Sequence, residues 1–318
     1  MEFRTVVPTN EITPKIGYHS KIVSLGSCFA VNIAQKLHYH KFQVVSNPFG
    51  ILFHPLAIEK IITKSMQNAI FSEEDFFQHN DLWHCFDFHS ELSQLHLINM
   101  VKIANQQSKQ LQTGLQEADF VFITLGTAWI YEHHQHGIVA NCHKLPQTEF
   151  SKRLLTINEI ENSLQNSIWQ IKNSNPSAKI VFTISPVRHL KDGFTQNQIS
   201  KAHLISGLHS FLTKNTDVAY FPAYEIMTDE LRDYRFYADD MLHPSQVAID
   251  YIWERFINTL IDPNCLADMK SVDSIQKGLK HKPFNPESEQ FLAFRKNLET
   301  KIEALKHKFK TYNNPLEF

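Results

Sequence analysis

A serine and a cysteine stand side by side where an apolar run gives way to a helical pattern. Ser27 and Cys28 follow the run Lys21–Leu25 and a glycine, Gly26, which together predict a strand and a tight turn. The first turn of a helix has free N–H groups and the positive end of the helix dipole, so it favours an anion. A cysteine there can have its pKa lowered and act as a nucleophile, whereas Ser27 can also serve simply as the N-cap of the helix.

An aspartate and a histidine three residues apart form a second pair that could do chemistry. Asp240 and His243 come just before a predicted helix that begins at Pro244 or Ser245. A histidine titrates near neutral pH, and a neighbouring carboxylate can orient it and stabilise its charged form. The spacing therefore predicts either a general base with its orienting carboxylate or a pair that only caps the helix.

Apolar runs and helical patterns alternate along the chain and must position these residues. The apolar runs are nearly continuous and predict strands buried on both faces of a parallel sheet, at Lys21–Leu25, Phe42–Val45, Asp119–Leu125, Lys179–Ser185 and Val218–Phe221. Helical patterns fill the intervals, at Cys28–Tyr39, Pro55–Gln67, Asn99–Glu117, Thr156–Lys172, Thr195–Lys214 and Ser245–Leu260. The alternation predicts a doubly wound α/β sheet.

Two segments depart from this alternation. Residues 70–98 are rich in Phe, His and Trp and predict an insertion over the edge or mouth of the sheet. The stretch 262–318 ends in a helical pattern with apolar residues spaced three and four apart, an apolar seam that either packs on the body of the protein or joins two copies. The predicted organisation is one domain over residues 1–261 and a C-terminal helical extension over residues 262–318.

Composition and charge restrict the partners of the chain. Its 318 residues carry a formal net charge of -2, so no bulk field attracts nucleic acid or an anionic membrane. No apolar run is long enough to span a membrane, and the N-terminus Met1–Thr5 lacks the apolar core of a signal peptide. The four cysteines are far apart and form no CxxC pair, which predicts reduced thiols in the cytoplasm.

Polar turns follow the predicted strands, at the edge where an open α/β sheet binds its ligands. Besides residues 26–28, this edge receives the turns 46–50, 126–129, 185–189 and 222–225 and then the Asp240/His243 pair. Arg188 in the third of these turns either binds a carboxylate or phosphate of a substrate or pairs with a local acid such as Asp192. The clustering predicts a site at this edge.

Four of these pieces together resemble the GSCFA family, which is named after the residues found here at 26–30 and is grouped with the SGNH, or GDSL-like, hydrolases. The pieces, termed the first to fourth blocks, are Gly26-Ser27-Cys28-Phe29-Ala30, Asn47-Pro48-Phe49-Gly50, Gly126-Thr127-Ala128-Trp129 and the Asp240/His243 pair. The resemblance covers about residues 20–255. It implies a three-layer αβα sandwich around a central parallel sheet. It also implies cleavage or transfer of acyl esters through a covalent acyl intermediate, with an oxyanion hole from the second and third blocks.

The register of the first block decides which residue is the nucleophile that the resemblance implies. Without gaps, Leu25–Phe29 lies over the L-G-D-S-L of the superfamily, so Cys28 takes the place of the nucleophilic serine and Ser27 that of the aspartate. A shift of one residue makes Ser27 the nucleophile but loses the alignment with the glycine turn. The gap-free register favours Cys28, and the chemistry permits both residues.

The resemblance assigns roles to the other blocks with one departure. Gly50 matches the glycine that supplies an N–H group, and Asp240 and His243 match the orienting carboxylate and the base. The third block, Gly126-Thr127-Ala128, has alanine where the superfamily has asparagine. Loss of that donor would lower the rate by roughly two to three orders of magnitude unless the amide of Asn47 or Asn141 replaces it.

These observations predict an acyl-ester hydrolase or acyltransferase. Cys28 or Ser27 would carry the acyl group of a small-molecule or glycan ester, with His243 as base and Asp240 as its orienting group. The alternative is a non-catalytic module that binds a carbohydrate or acyl ligand on the same fold, which the missing asparagine favours. No nucleic-acid or membrane partner is expected, and the sequence leaves the oligomeric state open.

A group of histidines suggests a third class, a metal-dependent hydrolase. The candidate ligands are His133, His134, His136, His143 and the Asp239/Asp240 pair. A catalytic zinc needs about three protein ligands, and His-x-His pairs do bind metals. Adjacent histidines in a loop with Gln135 and Gly137 are more often solvated, since no spaced carboxylate ligand accompanies them. The sequence therefore predicts no metal and no other cofactor.

Overall fold

The structure is a computed structural model that describes residues 4–318. Residues 1–3, where the predicted first domain begins, lie outside the described residues. The strands are β1 Lys21–Gly26, β2 Gln43–Ser46, β3 Phe77–His79, β4 Leu82–His84, β5 Phe120–Leu125, β6 Trp129–His133, β7 Gly137–Val139, β8 Phe150–Leu154, β9 Lys179–Ile184 and β10 Ala219–Tyr220. The α-helices are α1 Cys28–Tyr39, α2 Pro55–Met66, α3 Leu97–Glu117, α4 Ile157–Ser174, α5 Phe194–Lys214, α6 Ala223–Glu225, α7 Gln246–Leu260, α8 Leu266–Lys280 and α9 Glu289–Lys310.

Five parallel strands form the central sheet in the order β2-β1-β5-β9-β10. In β1, β5 and β9, alternate side chains enter the hydrophobic cores on opposite faces of the sheet: Ile22 enters one core, and Val23 and Leu25 enter the other. Helices α2–α5 cover the face of Val23, and helices α1, α7, α8 and α9 cover the face of Ile22. The predicted three-layer α/β architecture with a central parallel sheet is thereby confirmed.

The strand order reverses direction between β1 and β5. In a doubly wound sheet, the connections on the two sides of such a reversal diverge, and a crevice opens outside the carboxyl ends of the two strands. Ser27 and Cys28 directly follow β1, and Gly126 directly follows β5. The topology therefore places the first and third sequence blocks on either side of one crevice.

Two small antiparallel sheets were not predicted. Strands β7, β6 and β8 form a three-stranded sheet, and β3 pairs with β4 within the predicted insertion at residues 70–98. The insertion also has a packing role, because the ring of its buried Phe88 lies 4.8 Å from that of Phe49 in the turn after β2. These short strands were missed because they mix apolar, charged and histidine side chains instead of forming continuous apolar runs.

The C-terminal helices pack on the body of the chain. Leu298, Leu305 and Phe309 of α9 are buried in the core on the α1 face of the sheet, and the ring centroids of Phe309 and Tyr18 are 4.3 Å apart. Helix α8 lies beside the end of α1, where Tyr39 donates a 2.8 Å hydrogen bond to Asp273. The C-terminal half of the predicted apolar seam thus serves this chain's own core.

The helices and the cysteines bear on the environment in which the chain functions. Within residues 4–318, no helix is long and apolar enough to cross a membrane. All four cysteines have free thiols: Cys28 and Cys142 are half-buried, and Cys85 and Cys265 are buried.

The turn after β1 depends on a glycine. Gly26 has a φ of +128°, and a Cβ added there would stand 2.1 Å from the carbonyl oxygen of Thr124 on the neighbouring strand. We expect Gly26→Ala to lower the free energy of unfolding by at least ~3 kcal/mol, because the clash is with backbone that cannot move aside. Chemical denaturation measures the effect.

Gly137→Ala is the matched control for that substitution. Gly137 also has a positive φ, +69°, but an added Cβ there would meet nothing within 4 Å. Only the backbone strain remains, and we expect a loss of about 1–2 kcal/mol. Equal losses in the two variants would contradict the assignment of a close approach at Gly26.

Candidate active site

A cleft with a volume of about 720 Å³ opens at the carboxyl ends of β1, β5 and β9. Its walls include five of the predicted site residues, which are Cys28, Thr127, Asn141, Arg188 and His243. The other predicted residues do not line it; these are Ser27, Asn47, Gly50, Gly126 and Asp240. The cleft therefore brings together the candidate thiol nucleophile and the candidate base.

Asp240 and His243 form a tightly bonded pair at the rim of the cleft. Asp240 Oδ2 lies 2.6 Å from His243 Nδ1, and Asp240 Oδ1 accepts 2.9 Å hydrogen bonds from the amides of Leu242 and His243. These bonds, the His243 amide first, lower the pKa of Asp240 to about 2. A carboxylate can only accept, so Nδ1 carries a proton, and in the neutral imidazole this leaves the lone pair of a base on Nε2. The pair thus has the arrangement of a base and its orienting group, and the cap of α7 is a different residue, Ser245.

Cys28 is the first residue of α1, and its half-buried thiol faces the cleft. Burial raises the pKa of this thiol above its ordinary value. The amide N–H groups of Cys28 and Phe29 act in the opposite direction, as expected at a helix N-terminus, but they do not outweigh the burial. The thiol therefore needs a base in order to ionise near neutral pH.

Ser27 is the N-cap residue of α1 by position, but its side chain forms no capping hydrogen bond. Its Oγ is buried and has no hydrogen-bond partner among residues 4–318. The expectation that the Ser27 hydroxyl caps the helix is wrong, because the side chain turns into the interior, where Gly126 lies against it. Ser27 and Cys28 thus occupy different environments despite their adjacency.

The second block holds the first block in place. The side chain of Asn47 forms two hydrogen bonds with the backbone of Gly26. Oδ1 accepts from the Gly26 amide at 2.8 Å, and Nδ2 donates to the Gly26 carbonyl at 3.2 Å. The amide of Gly50 donates to the carbonyl of Asn47 at 2.8 Å. Neither Asn47 nor Gly50 has an unengaged donor directed into the cleft in this arrangement, and the predicted oxyanion role of each stays a prediction.

The backbone amides of Gly126, Thr127 and Ala128 in the third block also have hydrogen-bond partners within the protein. The amides of Gly126 and Thr127 donate to the carbonyl of Phe53 at 2.8 and 3.0 Å. The amide of Ala128 donates to Ser200 Oγ at 2.8 Å, and Thr127 Oγ1 lies 3.0 Å from the same hydroxyl. Ser200 therefore fixes the loop in which asparagine is absent, and Thr127 and Trp129 are the residues of this block that line the cleft.

Asn141 and Arg188 approach the cleft from two other loops. Asn141 Oδ1 accepts from the amide of His143 at 2.8 Å, which orients the side chain and leaves its NH₂ group without a hydrogen bond to residues 4–318. The guanidinium of Arg188 donates to the carbonyl of Met241 at 3.3 Å and lies 5.5 and 5.6 Å from the rings of Phe194 and Tyr237. Its proposed local acid, Asp192, pairs instead with Lys152. Both residues could therefore contact a ligand.

Helix α5 supplies two residues that the sequence analysis missed, Ser200 and Lys201. Both are buried, and Lys201 Nζ donates to the carbonyls of Gly126 and Ser185 at 2.7 Å each. A signal was present in the sequence, because Lys201 shares a helical stripe with the buried Asn197, Leu204 and Leu208. A lysine on the apolar stripe of a helix is a candidate for a buried functional role.

The histidines considered as metal ligands belong to the small antiparallel sheet and its surroundings. His133 is buried, and its Nδ1 accepts from the amides of Gln135 and His136. His143 Nε2 lies 2.7 Å from the carbonyl oxygen of Cys85, and burial lowers the pKa of His143 to about 4. No group of three or more His, Cys, Asp or Glu side chains in residues 4–318 is arranged to hold a metal ion.

Comparison with known proteins gives two family matches. The GSCFA family matches residues 21–256, and the C-terminal domain of GSCFA domain proteins matches residues 272–314. No match is found among curated proteins. Among the chains of solved structures that match, one has 15% sequence identity and a TM-score of 0.30, and the match covers 45% of this chain and 64% of the other.

The unpartnered hydroxyl of Ser27 leads to a stability prediction. We expect Ser27→Ala to leave the fold intact and to raise the free energy of unfolding by up to ~1 kcal/mol, because it removes a buried polar group without a hydrogen bond. Thr156→Ala is the control: Thr156 Oγ1 accepts from the amide of Glu159 at 3.2 Å and caps α4, so its loss should cost ~1 kcal/mol. Thermal unfolding compares the two, and a loss of stability in Ser27→Ala would contradict this description.

Proposed function

The chain belongs to the GSCFA family, and we propose that it is an SGNH-like acyl-ester hydrolase or acyltransferase that uses Cys28 as its nucleophile. One observation carries this proposal: Cys28 and His243 line a single cleft at the sheet's switch point, and Asp240 is bonded to His243 Nδ1. Nucleophile, base and orienting carboxylate are the three groups that acyl transfer needs.

The reaction begins with proton transfer from Cys28 to His243 Nε2. The thiolate attacks the carbonyl carbon of the ester, and the C=O π electrons move to the oxygen. When the tetrahedral intermediate collapses, the C–O bond of the ester breaks and the imidazolium returns the proton to the leaving alcohol. Water or an acceptor alcohol then attacks the acyl thioester by the same route, which regenerates the thiol. Asp240 stabilises the imidazolium in each half of the reaction.

The helix N-terminus and Asn141 are the proposed oxyanion donors. The amide of Cys28 is not bonded to any carbonyl in residues 4–318, and it acts on the Cys28 thiol. It is therefore placed to donate to an oxygen that develops beside the attacked carbon. The NH₂ group of Asn141, on the wall of the same cleft, takes the place of the asparagine absent at position 128.

The walls of the cleft suit an ester with an apolar or sugar-like part. Trp129, Tyr131 and Phe150 present aromatic surface, on which sugar rings and acyl chains both pack. The cations of Arg188 and Lys191 lie on the wall beside them and favour a substrate that carries a negative group. We propose a small-molecule or glycan ester as the substrate and, since all four cysteines are free, the cytoplasm as the compartment.

The alternative is a module that binds the same ligands without turnover. Its support is that the Gly50 amide, the Asn47 side chain and the Ala128 amide are all engaged in hydrogen bonds within the protein, which leaves the second and third blocks without an evident oxyanion donor. In that case the cleft would hold an ester or sugar unchanged, and the Cys28 thiol would stay protonated.

An ester assay tests the proposal. We expect release of p-nitrophenol from short-chain esters to fall by roughly a thousandfold or more in Cys28→Ala and His243→Ala, because each removes a group that takes part in the bond change. The rate of p-nitrophenol release by Asp240→Asn should also fall by roughly a thousandfold, because the asparagine side chain no longer holds His243 in the tautomer that carries its proton on Nδ1. Cys142→Ala, a thiol on the same cleft wall, is the matched control and should keep its activity.

Further outcomes separate the alternatives. Ser27→Ala should retain esterase activity. If Ser27→Ala instead lost activity and Cys28→Ala retained it, the nucleophile would be Ser27. Mass spectrometry should find the acyl group on the peptide that contains Cys28. Absence of turnover, together with alkylation of Cys28 by iodoacetamide no faster than that of the buried Cys265, would favour the binding module.

A further inference from the structure

The cleft has more cations than acids on its walls. Three cationic residues line it, Lys144, Arg188 and Lys191, whereas Asp192 is the single acidic residue among the described residues that do so. The carboxylate of Asp192 already forms an ion pair with Lys152. None of the ion pairs in the part of the chain that the structure describes includes one of the three lining cations. The cleft is therefore locally positive in a chain whose formal net charge is -2, and it favours an anionic ligand.

Two histidines on the cleft walls add no charge to this balance near pH 7. His54 and His189 line the cleft, and burial, the largest cause in each, lowers the pKa of both side chains to about 4. Their imidazoles are therefore neutral near pH 7. The fixed positive charge of the walls comes from the two lysines and the arginine.

Arg188 differs from the two lysines because its side chain is held in place. Its guanidinium donates to the carbonyl of Met241 at 3.3 Å, and its central carbon lies 5.5 and 5.6 Å from the ring centroids of Phe194 and Tyr237. The two lysines are exposed. A guanidinium has five N–H donors, and the bond to Met241 is the only side-chain hydrogen bond that Arg188 forms with residues 4–318. A charged fork that is already ordered loses little entropy when it binds a ligand.

Arg188 is bonded to the turn that carries the proposed base. Its backbone amide donates to the carbonyl of Leu242 at 3.1 Å and its guanidinium bonds to Met241, so both bonds reach the residues just before His243. In the proposed reaction, His243 returns its proton to the leaving alcohol, which must therefore lie on the His243 side of the attacked carbon. A charged group on the alcohol part of the ester is thus the part of the substrate nearest to Arg188.

We propose that Arg188 is the specificity-determining residue of the cleft and binds a carboxylate or phosphate on the alcohol part of the ester. This inference rests on the proposed function, because it takes the position of the alcohol from the role of His243. The planar fork of a guanidinium matches two oxygens of a carboxylate or phosphate, whereas the lysines add attraction without fixing the direction of approach. In a transfer reaction, the acceptor alcohol enters the same place and carries the same kind of group.

Acetyl esters that differ in the charge of the alcohol part test this inference. The probes are 4-acetoxybenzoate and 4-acetoxyphenyl phosphate, with the uncharged 4-acetoxybenzamide as the reference, and each kcat/KM is divided by the uncatalysed rate of the same ester. We expect the wild-type protein to prefer at least one charged ester by about tenfold or more, because hydrogen bonds to an ionised group are strong. The larger preference identifies the oxyanion as carboxylate or phosphate. Arg188→Met should reduce that preference by roughly tenfold, and Arg188→Lys, which keeps the charge without the fork, should reduce it by less.

Arg153→Met is the matched control. It removes the same charge, but Arg153 is not among the residues that line the cleft, and it pairs with Glu132 and Glu159 at 2.8 Å each. This variant should therefore keep the wild-type preference for the charged ester. Because the preference is a ratio within one protein, a general loss of activity cancels. Turnover of all three esters without a preference for charge, or a preference that Arg188→Met leaves unchanged, would overturn the inference and leave the proposed function standing.

Binding of the product alcohols needs no turnover and separates the two failures. Titration calorimetry compares 4-hydroxybenzoate and 4-hydroxyphenyl phosphate with the uncharged 4-hydroxybenzamide. Charge-dependent binding that Arg188→Met abolishes, without turnover of any ester, would contradict the proposed function and support the anion subsite. Equal binding of the three alcohols to the wild-type protein would overturn the inference. If the Arg188 variants do not fold, the wild-type preference must still weaken as NaCl is added, because salt screens a half-buried charge, and a preference that is insensitive to salt would overturn the inference.

Discussion

The attachment of the Gly26 backbone to its neighbours is the constraint on which the rest of the site depends. The carbonyl of Gly26 accepts from the Leu52 amide and from Asn47 Nδ2, its amide donates to Asn47 Oδ1, and its Cα lies against Thr124 of β5. This closeness lets the chain leave β1 and enter α1 without a wide loop. Because the first residue of α1 is Cys28, the position of the thiol follows from backbone contacts and not from the flexibility of a side chain.

Backbone hydrogen bonding also determines which N–H groups around the cleft are free to bind a ligand. Around the cleft, the amides of Gly50, Gly126, Thr127 and Ala128 are all engaged, because buried N–H groups need partners. At the N-terminus of α1, by contrast, helix geometry itself leaves the first amides without carbonyl partners. The donors available for chemistry therefore come from the start of a helix and from a side-chain amide.

The sequence predicts much of the fold and a defined part of the site. The bounds of α1 and the strands β1, β5 and β9 follow from continuous apolar runs and from a helical period that tertiary contacts do not override. Asp240 and His243 are only three residues apart, so the sequence alone indicates that their side chains can meet. By contrast, the engagement of the Gly50 amide, the orientation of Ser27 and the reach of Lys201 depend on residues far away in sequence. A lysine in a helical pattern ordinarily indicates a solvated face, and although the position of Lys201 on the apolar stripe of α5 hints at burial, only the packing shows which loops its side chain reaches.

The packing of the C-terminal helices has a consequence for how the protein is made. Helix α1 presents Phe29, Ile33 and Leu37 to a core that Leu305 and Phe309 of α9 complete, and the side chain of Asn314 donates to the carbonyl of Lys41, just beyond α1. A ribosome adds those covering residues long after it has added α1. The outer face of α1 thus stays partly uncovered until α9 has been synthesised. An immature chain would hold the thiol on an element that is only partly packed, and the site would reach its final geometry after the C-terminal segment has been released.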